Sequence, residues 1–291
     1  MNFDKVYSKY LTYFNQSLDK TLENLDDSVP AILKEAMSYA TIDGGKRIRP
    51  ILCFAMADIL GIDYTKVTEY ALAIEFIHSY SLVHDDLPCM DNDDYRRGKL
   101  STHKKFGYAN GVLTGDALLN FAFELCLSRA DITSCDVNAM RIISSYAGYS
   151  GMIKGQILDL ENECNPNIDE QVLYDIYINK TSKLLTAPLL VASAMANNLY
   201  FEQLKEFGFN LGIMFQITDD LLDEESDLAT IGKTVHKDKE ADKFTAIKVF
   251  GLENARKKAK EHYQICKNIL SNIPNAQFLG EFLDRIYFRK K

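Results

Sequence analysis

The chain has 291 residues, 47% of them hydrophobic and 25% charged, with a formal net charge of −8. That balance suits a globular protein with a large core, and the acidic excess argues against general binding to nucleic acid or to an anionic membrane surface. Only 15 glycines and 6 prolines punctuate it, too few for a turn-rich β fold, so long helices are expected.

The start, "MNFDKVYSKYL", has no signal-peptide core. "RPILCFAMADILG" reads as a buried helix from Pro50 to Gly61, since proline favours the first helical turn and glycine the stop. A longer helix is expected from about Tyr64 to Leu87, and another in "NGVLTGDALLNFAFELCLSRA". "VNAMRIISSYAGYSGMIKGQILDLENE" reads as one long helix with small residues suited to close contacts. "DEQVLYDIYINKTSKLLTAPLLVASAMANN" follows, with a kink expected at Pro188. "EQLKEFGFNLGIMFQITDDLLDEESD", "LENARKKAKEHYQICKNILSN" and a segment after Pro274 complete the helical pattern. Asn92 to Tyr108 and Leu228 to Lys243 read as charged loops. With no repeat and no linker, the expectation is a single all-α domain, a multi-helix bundle over residues 1–291. The cysteines (Cys53, Cys89, Cys126, Cys135, Cys164 and Cys266) form no Cys-x-x-Cys pair and read as reduced thiols, mostly core filler. No stretch approaches the roughly 18 apolar residues of a membrane span. A cytoplasmic protein without stable membrane insertion is expected.

Two acidic clusters end apolar helices: Asp85, Asp86 and Asp91, with Asp93 and Asp94 behind, and Asp219, Asp220 and Asp223 in "DDLLD". Asp219 and Asp223 are four apart and share a helix face. Buried carboxylates so close repel by about 4 kcal/mol per pair at 4 Å and an effective dielectric near 20, which asks for a cation. Oxygen ligands without a His or Cys pattern suit Mg²⁺, which completes its shell with water and phosphate oxygens. Arg96 and Arg97 are forked donors that match phosphate, and "GGKRIRP" supplies Gly44, Gly45, Lys46, Arg47 and Arg49 before a helix. Lys180, Lys233 and Lys243 are further candidates. His78 lies two helical turns before Asp85, on the same face. A lone acidic cluster is most often a solvated helix end and a lone histidine a structural residue; the combination of these features in one chain is what points to a site.

These residues resemble the trans-isoprenyl diphosphate synthases, in particular the bacterial-type short-chain farnesyl diphosphate synthases. "GGKRIRP", "IHSYSLVHDDLPCMDNDDYRRGK", Lys180–Thr181, "FQITDDLLD" and "GKTVHKD" occur in that family's order over nearly the whole chain. The resemblance implies the isoprenoid-synthase fold, with helices around a central cavity, and a homodimer. It implies condensation of isopentenyl diphosphate with dimethylallyl or geranyl diphosphate. Asp85 and Asp91 would bind two of three Mg²⁺ ions with Asp86 supporting, and Asp219 the third, with Asp220 and Asp223 in or near its shell. Arg96, Lys180 and Lys233 would hold the allylic diphosphate. Lys46, Arg49, His78 and Arg97 would hold isopentenyl diphosphate, with Gly45 and Lys243 also at the substrate sites. Thr181 and Gln216 would turn oxygen dipoles toward the developing cation.

Tyr80 and Ser81, just before the first motif, would form the floor of the product tunnel, and a bulky Tyr80 implies a fifteen-carbon product rather than geranyl or geranylgeranyl diphosphate. Two departures from the family pattern are Lys154, where a first glycine before "GQ" is usual, and Asp242, where a glycine often precedes Lys243. A cyclase or head-to-head synthase would need a different second cluster. A non-catalytic regulatory subunit would be expected to lose a cluster. "EFIH" (Glu75 to His78) matches a di-iron Glu-x-x-His, but that pattern needs two such pairs and the chain has one.

Overall fold

The computed structural model describes residues 2–42, 45–129, 131–163, 165, 169–231 and 245–289. They form an all-α protein in two compact units, one of Asn2–Met140 with Ala194–Asn197 and one of Arg141–Ser193 with Asn198–Lys291.

The first unit holds α1 (Phe3–Glu23), α2 (Ala31–Thr41), α3 (Ile48–Ile59), a 3₁₀ turn (Tyr64–Val67), α4 (Thr68–Asp85), a two-stranded hairpin of β1 (Tyr95–Arg96) and β2 (Lys99–Leu100), α5 (Thr102–Phe106) and α6 (Tyr108–Leu127). The unit boundary falls within α7 (Ser134–Ala147). Asn2 caps α1 by accepting the Lys5 N–H at 3.1 Å, the role a side-chain amide oxygen serves at a helix start. Every residue of α4 from Tyr70 to Ile77 is buried, as a helix apolar on all sides must be. It packs on α6 and α3. A glutamate, Glu75, sits within that run at 3% exposure.

Several expected boundaries shift. The helix read as starting at Pro50 starts at Ile48, with Pro50 still in the first turn, where its missing N–H costs no bond. The helix read from Tyr64 opens as the 3₁₀ turn, because Asp63 accepts the Thr65 N–H and draws the chain tighter. Asn92 to Tyr108 is not a plain loop. It holds the hairpin, with Tyr95 opposite Leu100 and Arg96 opposite Lys99, and then α5. Arg97 and Gly98 are the two turn residues, at φ 52° and 78°, the left-handed pair that matches the twist of a tight hairpin.

The second unit holds the end of α7, α8 (Met152–Asn162), α9 (Glu170–Ile176), a π-helical stretch (Tyr177–Ser182), all but the last two residues of α10 (Lys183–Met195), α11 (Phe201–Ile231), α12 (Ala246–Phe250), α13 (Leu252–Ser271) and α14 (Gln277–Tyr287). Leu173, Ile176, Tyr177, Ile213, Ile217, Leu221, Ala246, Ala255 and Ala259 form a buried cluster among its helices. The single helix expected from Val137 to Glu163 is two helices. It breaks at Gly151, where a Cβ would stand 2.1 Å from the Tyr146 carbonyl oxygen. Pro188 is inside α10, and a departure from α geometry, the π stretch, ends six residues before it. Leu228 to Ile231, read as loop, are helical; the rest of that stretch, with Lys233, Asp242 and Lys243, lies outside the described residues, as do Gly44 and Cys164. Among the described residues no helix is long and apolar enough to cross a membrane, and Cys53, Cys126 and Cys266 are buried free thiols.

Candidate active site

In the first unit, the glycine-lysine-arginine run and α4 converge. Arg47 adopts the left-handed conformation (φ 46°, ψ 38°) at the N-cap of α3, a backbone state that costs a non-glycine residue about 1–2 kcal/mol. Its guanidinium turns inward. Nη1 donates to Glu75 Oε1 at 2.9 Å, and Nη2 donates to the carbonyls of Thr41 at 2.6 Å and Ile42 at 3.0 Å. Lys46, one residue before, stays exposed, and its carbonyl accepts the Tyr7 hydroxyl at 2.7 Å. Gly45 has φ 108°, and a Cβ there would meet the Arg97 guanidinium at 3.1 Å. The glycine thus admits an arginine side chain against its backbone.

Among the described residues, the buried Arg49 Nε has no hydrogen-bond partner. Burial lowers its pKa to about 10, with the field of Arg97 adding to the fall and that of Glu75 opposing it. His78 is held well below the ordinary histidine value, by burial first and then by the fields of Arg49, Arg97, Arg47 and Arg96. It is therefore neutral at neutral pH, among four guanidinium groups.

The first aspartate motif closes on itself. The Asp91 N–H donates to the Asp85 carbonyl at 2.8 Å, and the Asn92 N–H to Leu87 at 3.1 Å, so the end of α4 and the far aspartate are held together. Asp86 points away into protein at 2% exposure. It accepts the Arg96 Nε–H at 2.8 Å, and Arg96 Nη2 also donates to it. Burial raises the Asp86 carboxyl pKa, and the Arg96 bonds oppose that. A cleft beside this pair is lined by Ser79, Leu82, Arg96, Arg97, Lys99 and Thr102, among others. Tyr80 is buried, its ring 5.7 Å from that of His84, and burial with the nearby Asp85 pushes its hydroxyl pKa up to about 12. The Ser81 hydroxyl donates to the His78 carbonyl at 2.9 Å.

In the second unit, Lys180 and Thr181 sit in the π-helical stretch, a geometry that recurs at functional sites because one extra residue per turn redirects side chains. Lys180 Nζ pairs with Asp159 Oδ2 at 2.5 Å. The Thr181 hydroxyl donates to Gln216 Oε1 at 3.1 Å, and Gln216 Nε2 donates to Asp220 Oδ1 at 3.2 Å. Asp220 Oδ2 accepts the Tyr177 hydroxyl and, at 2.7 Å, the Ala246 N–H. Asp219 Oδ1 accepts Arg289 Nη2 at 2.5 Å, and Arg289 lies over the Phe215 ring at 4.1 Å. Asp223 is exposed one turn further along α11.

Among the described residues no three His, Cys, Asp or Glu side chains gather as a ready metal cage. Each motif instead offers a few carboxylate oxygens. That donor set fits Mg²⁺, which takes one or two protein carboxylates and completes its shell with water and phosphate. Glu75 is bound to Arg47 rather than set out as half of a di-iron pair. The sequence reading did not single out Glu75 as an ion-pair partner, nor Asp159, Tyr177 or Arg289. Asp159 follows the "GQ" pair by three residues; Arg289 and Tyr177 carry no pattern that would mark them.

The polyprenyl synthetase family profile matches residues 30–277. The chain is 39% identical over 262 residues to farnesyl diphosphate synthase of Micrococcus luteus, covering 88% of this chain and 90% of that one. It is equally 39% identical, over 264 residues, to a chloroplastic geranylgeranyl pyrophosphate synthase of Capsicum annuum, covering 89% of this chain and 71% of that one. A crystal structure of a geranyltransferase from Legionella pneumophila superposes with a TM-score of 0.88 at 32% identity, over 99% of this chain and 97% of the other. The chain belongs to the polyprenyl synthetase family and is a transferase of that class.

Proposed function

We propose that the chain is a Mg²⁺-dependent farnesyl diphosphate synthase, condensing isopentenyl diphosphate with dimethylallyl or geranyl diphosphate. The observation that carries this is the cationic group around His78: four arginines, one of them with a buried Nε that has no partner among the described residues. A donor left unsatisfied in a buried place costs about 1–3 kcal/mol, and an incoming diphosphate oxygen removes that cost. Lys46, Arg49, His78 and Arg97 are the groups assigned to isopentenyl diphosphate. Neutral His78 donates a hydrogen bond without adding another charge to the crowd.

Asp85 and Asp91, and separately Asp219 with Asp223, are assigned to Mg²⁺, with Asp86 and Asp220 supporting through their protein bonds. Magnesium, when bound, would neutralise charge on the departing diphosphate. Arg96, Lys180 and Lys233 are diphosphate donors. Thr181 and Gln216 supply oxygen dipoles that favour a developing allylic cation. The proton lost after carbon–carbon bond formation leaves with the released diphosphate, so no side-chain base is assigned. A homodimer in the cytoplasm completes the reading.

The fifteen-carbon product rests on Tyr80, bulky and buried one turn before Asp85. A twenty-carbon product is the second reading, favoured by the equal identity to the Capsicum annuum relative. The test is an assay with Mg²⁺, isopentenyl diphosphate and either starter, with products separated by length. Farnesyl diphosphate from wild type and a longer product from Tyr80→Ala are expected. An unchanged product from Tyr80→Ala removes Tyr80 from the argument, and no elongation at all sinks the synthase reading.

A further inference from the structure

The pair Arg47–Glu75 lies next to groups assigned to isopentenyl diphosphate, yet neither residue belongs to that set. Both are buried, at 4% and 3% exposure. A buried ion pair is weak evidence of stability, because desolvation offsets its attraction, and apolar residues of similar volume serve a core as well or better. Its geometry is more informative. Arg47 is in a left-handed backbone state, fixed by Glu75 and by two carbonyls. Lys46 precedes it and Arg49 follows two residues later, so immobilising Arg47 fixes the backbone that carries both. Glu75 belongs to a different element, α4, three residues before His78 and therefore on nearly the same face. The ion pair ties the segment bearing Lys46 and Arg49 to the helix bearing His78.

Charge points the same way. Arg47, Arg49 and Arg97 crowd together, and Glu75 is the carboxylate whose field favours the charged forms of Arg49 and Arg97. Without it, like charges at close range drive the guanidinium groups apart. Arg97 packs on Gly45 at one side of this group, so a shift of the Arg47 turn reaches Arg97 as well.

We propose that Arg47 and Glu75 are positioning residues, a buried ion pair that sets Lys46, Arg49, His78 and Arg97 in one arrangement to receive the diphosphate of the isopentenyl substrate. This rests on the assignment of those four residues made above. It also gives the lone Glu-x-x-His of α4 a role that needs no metal: the glutamate orders the anion site, and the histidine is part of it.

The experiment combines steady-state kinetics, calorimetric binding of isopentenyl diphosphate alone, and denaturation midpoints. Glu75→Ala should raise KM and Kd for isopentenyl diphosphate by about tenfold or more, since small misplacements of binding groups are this costly. KM for the allylic diphosphate should stay within about twofold, as expected when only one binding step is disturbed. Glu75→Gln keeps an acceptor for Arg47 without the charge; it should be less destabilised than Glu75→Ala and show a smaller rise in the same Kd. The double variant Arg47→Met with Glu75→Leu should recover the wild-type midpoint, an apolar pair replacing a buried ionic one, while its Kd for isopentenyl diphosphate remains raised. That split separates positioning from simple structural support. Recovery of both midpoint and Kd in the double variant overturns the proposal, as does unchanged Kd in folded Glu75→Gln and Glu75→Ala. Failure of the wild type to bind isopentenyl diphosphate is a different result, which overturns the substrate assignment itself.

Discussion

Asp86 and Asp220 are each the second member of an Asp-Asp pair, and each is buried, at 2% and 7% exposure. Asp86 is held by Arg96, and Asp220 by Tyr177, Gln216 and the Ala246 N–H. Burial raises the pKa of both carboxyls while those donors oppose it. Their neighbours Asp85 and Asp219 are less buried. Spacing marked all of these aspartates as one kind of residue. It could not separate them, because which of two adjacent side chains turns inward depends on donors far away in sequence, such as Ala246.

His78 was legible as a candidate for the site but not in its charge state, which comes first from burial and then from four arginines on two segments. That state has a measurable consequence. Its folded pKa is depressed below the unfolded value near 6.5, so between the two values the unfolded chain binds more protons. Stability from this group is complete above about pH 6.5 and is lost as pH falls toward the folded pKa. From pH 7 to pH 5.5, wild type should therefore lose roughly 1 kcal/mol more unfolding free energy than His78→Gln. Chemical denaturation at the two pH values measures it; parallel losses in both proteins would show that His78 titrates normally.

The helices as elements were readable from apolar period, and the π stretch was not. A π turn adds a residue without changing composition, so "YINKTSKLL" looks like uninterrupted helix. The nearby glycine is the better clue. A Cβ at Gly155 would stand 2.1 Å from the Lys180 backbone nitrogen, so α8 meets the π stretch backbone to backbone there. This also accounts for the departure at Lys154, which is exposed and need not be glycine. Gly155→Ala should destabilise the protein by about 1–3 kcal/mol, the cost of forcing atoms into a filled contact. Lys154→Gly should stay near its helix-propensity cost of about 1 kcal/mol or less. Urea midpoints of the two variants check this. Equal, small losses would mean that α8 can move away from Lys180 at little cost.

For the whole molecule, the acidic excess of the sequence is concentrated where cations are expected, and each unit holds part of that charge against its own arginine. Arg96 answers Asp86 in one unit, and Arg289 answers Asp219 in the other. The chain can therefore fold before metal arrives, and chelator alone should leave its melting midpoint unchanged. Mg²⁺ with inorganic diphosphate should raise the midpoint by linkage, about 2.7 kcal/mol of stability at a hundred times Kd, or several degrees. If both acidic motifs hold metal, Asp85→Ala and Asp219→Ala should each sharply reduce that rise. Asp219→Ala also leaves the buried Arg289 without its carboxylate, so its ligand-free midpoint should fall where that of Asp85→Ala does not. A full thermal shift retained in one of the two variants would confine the metal to the other motif.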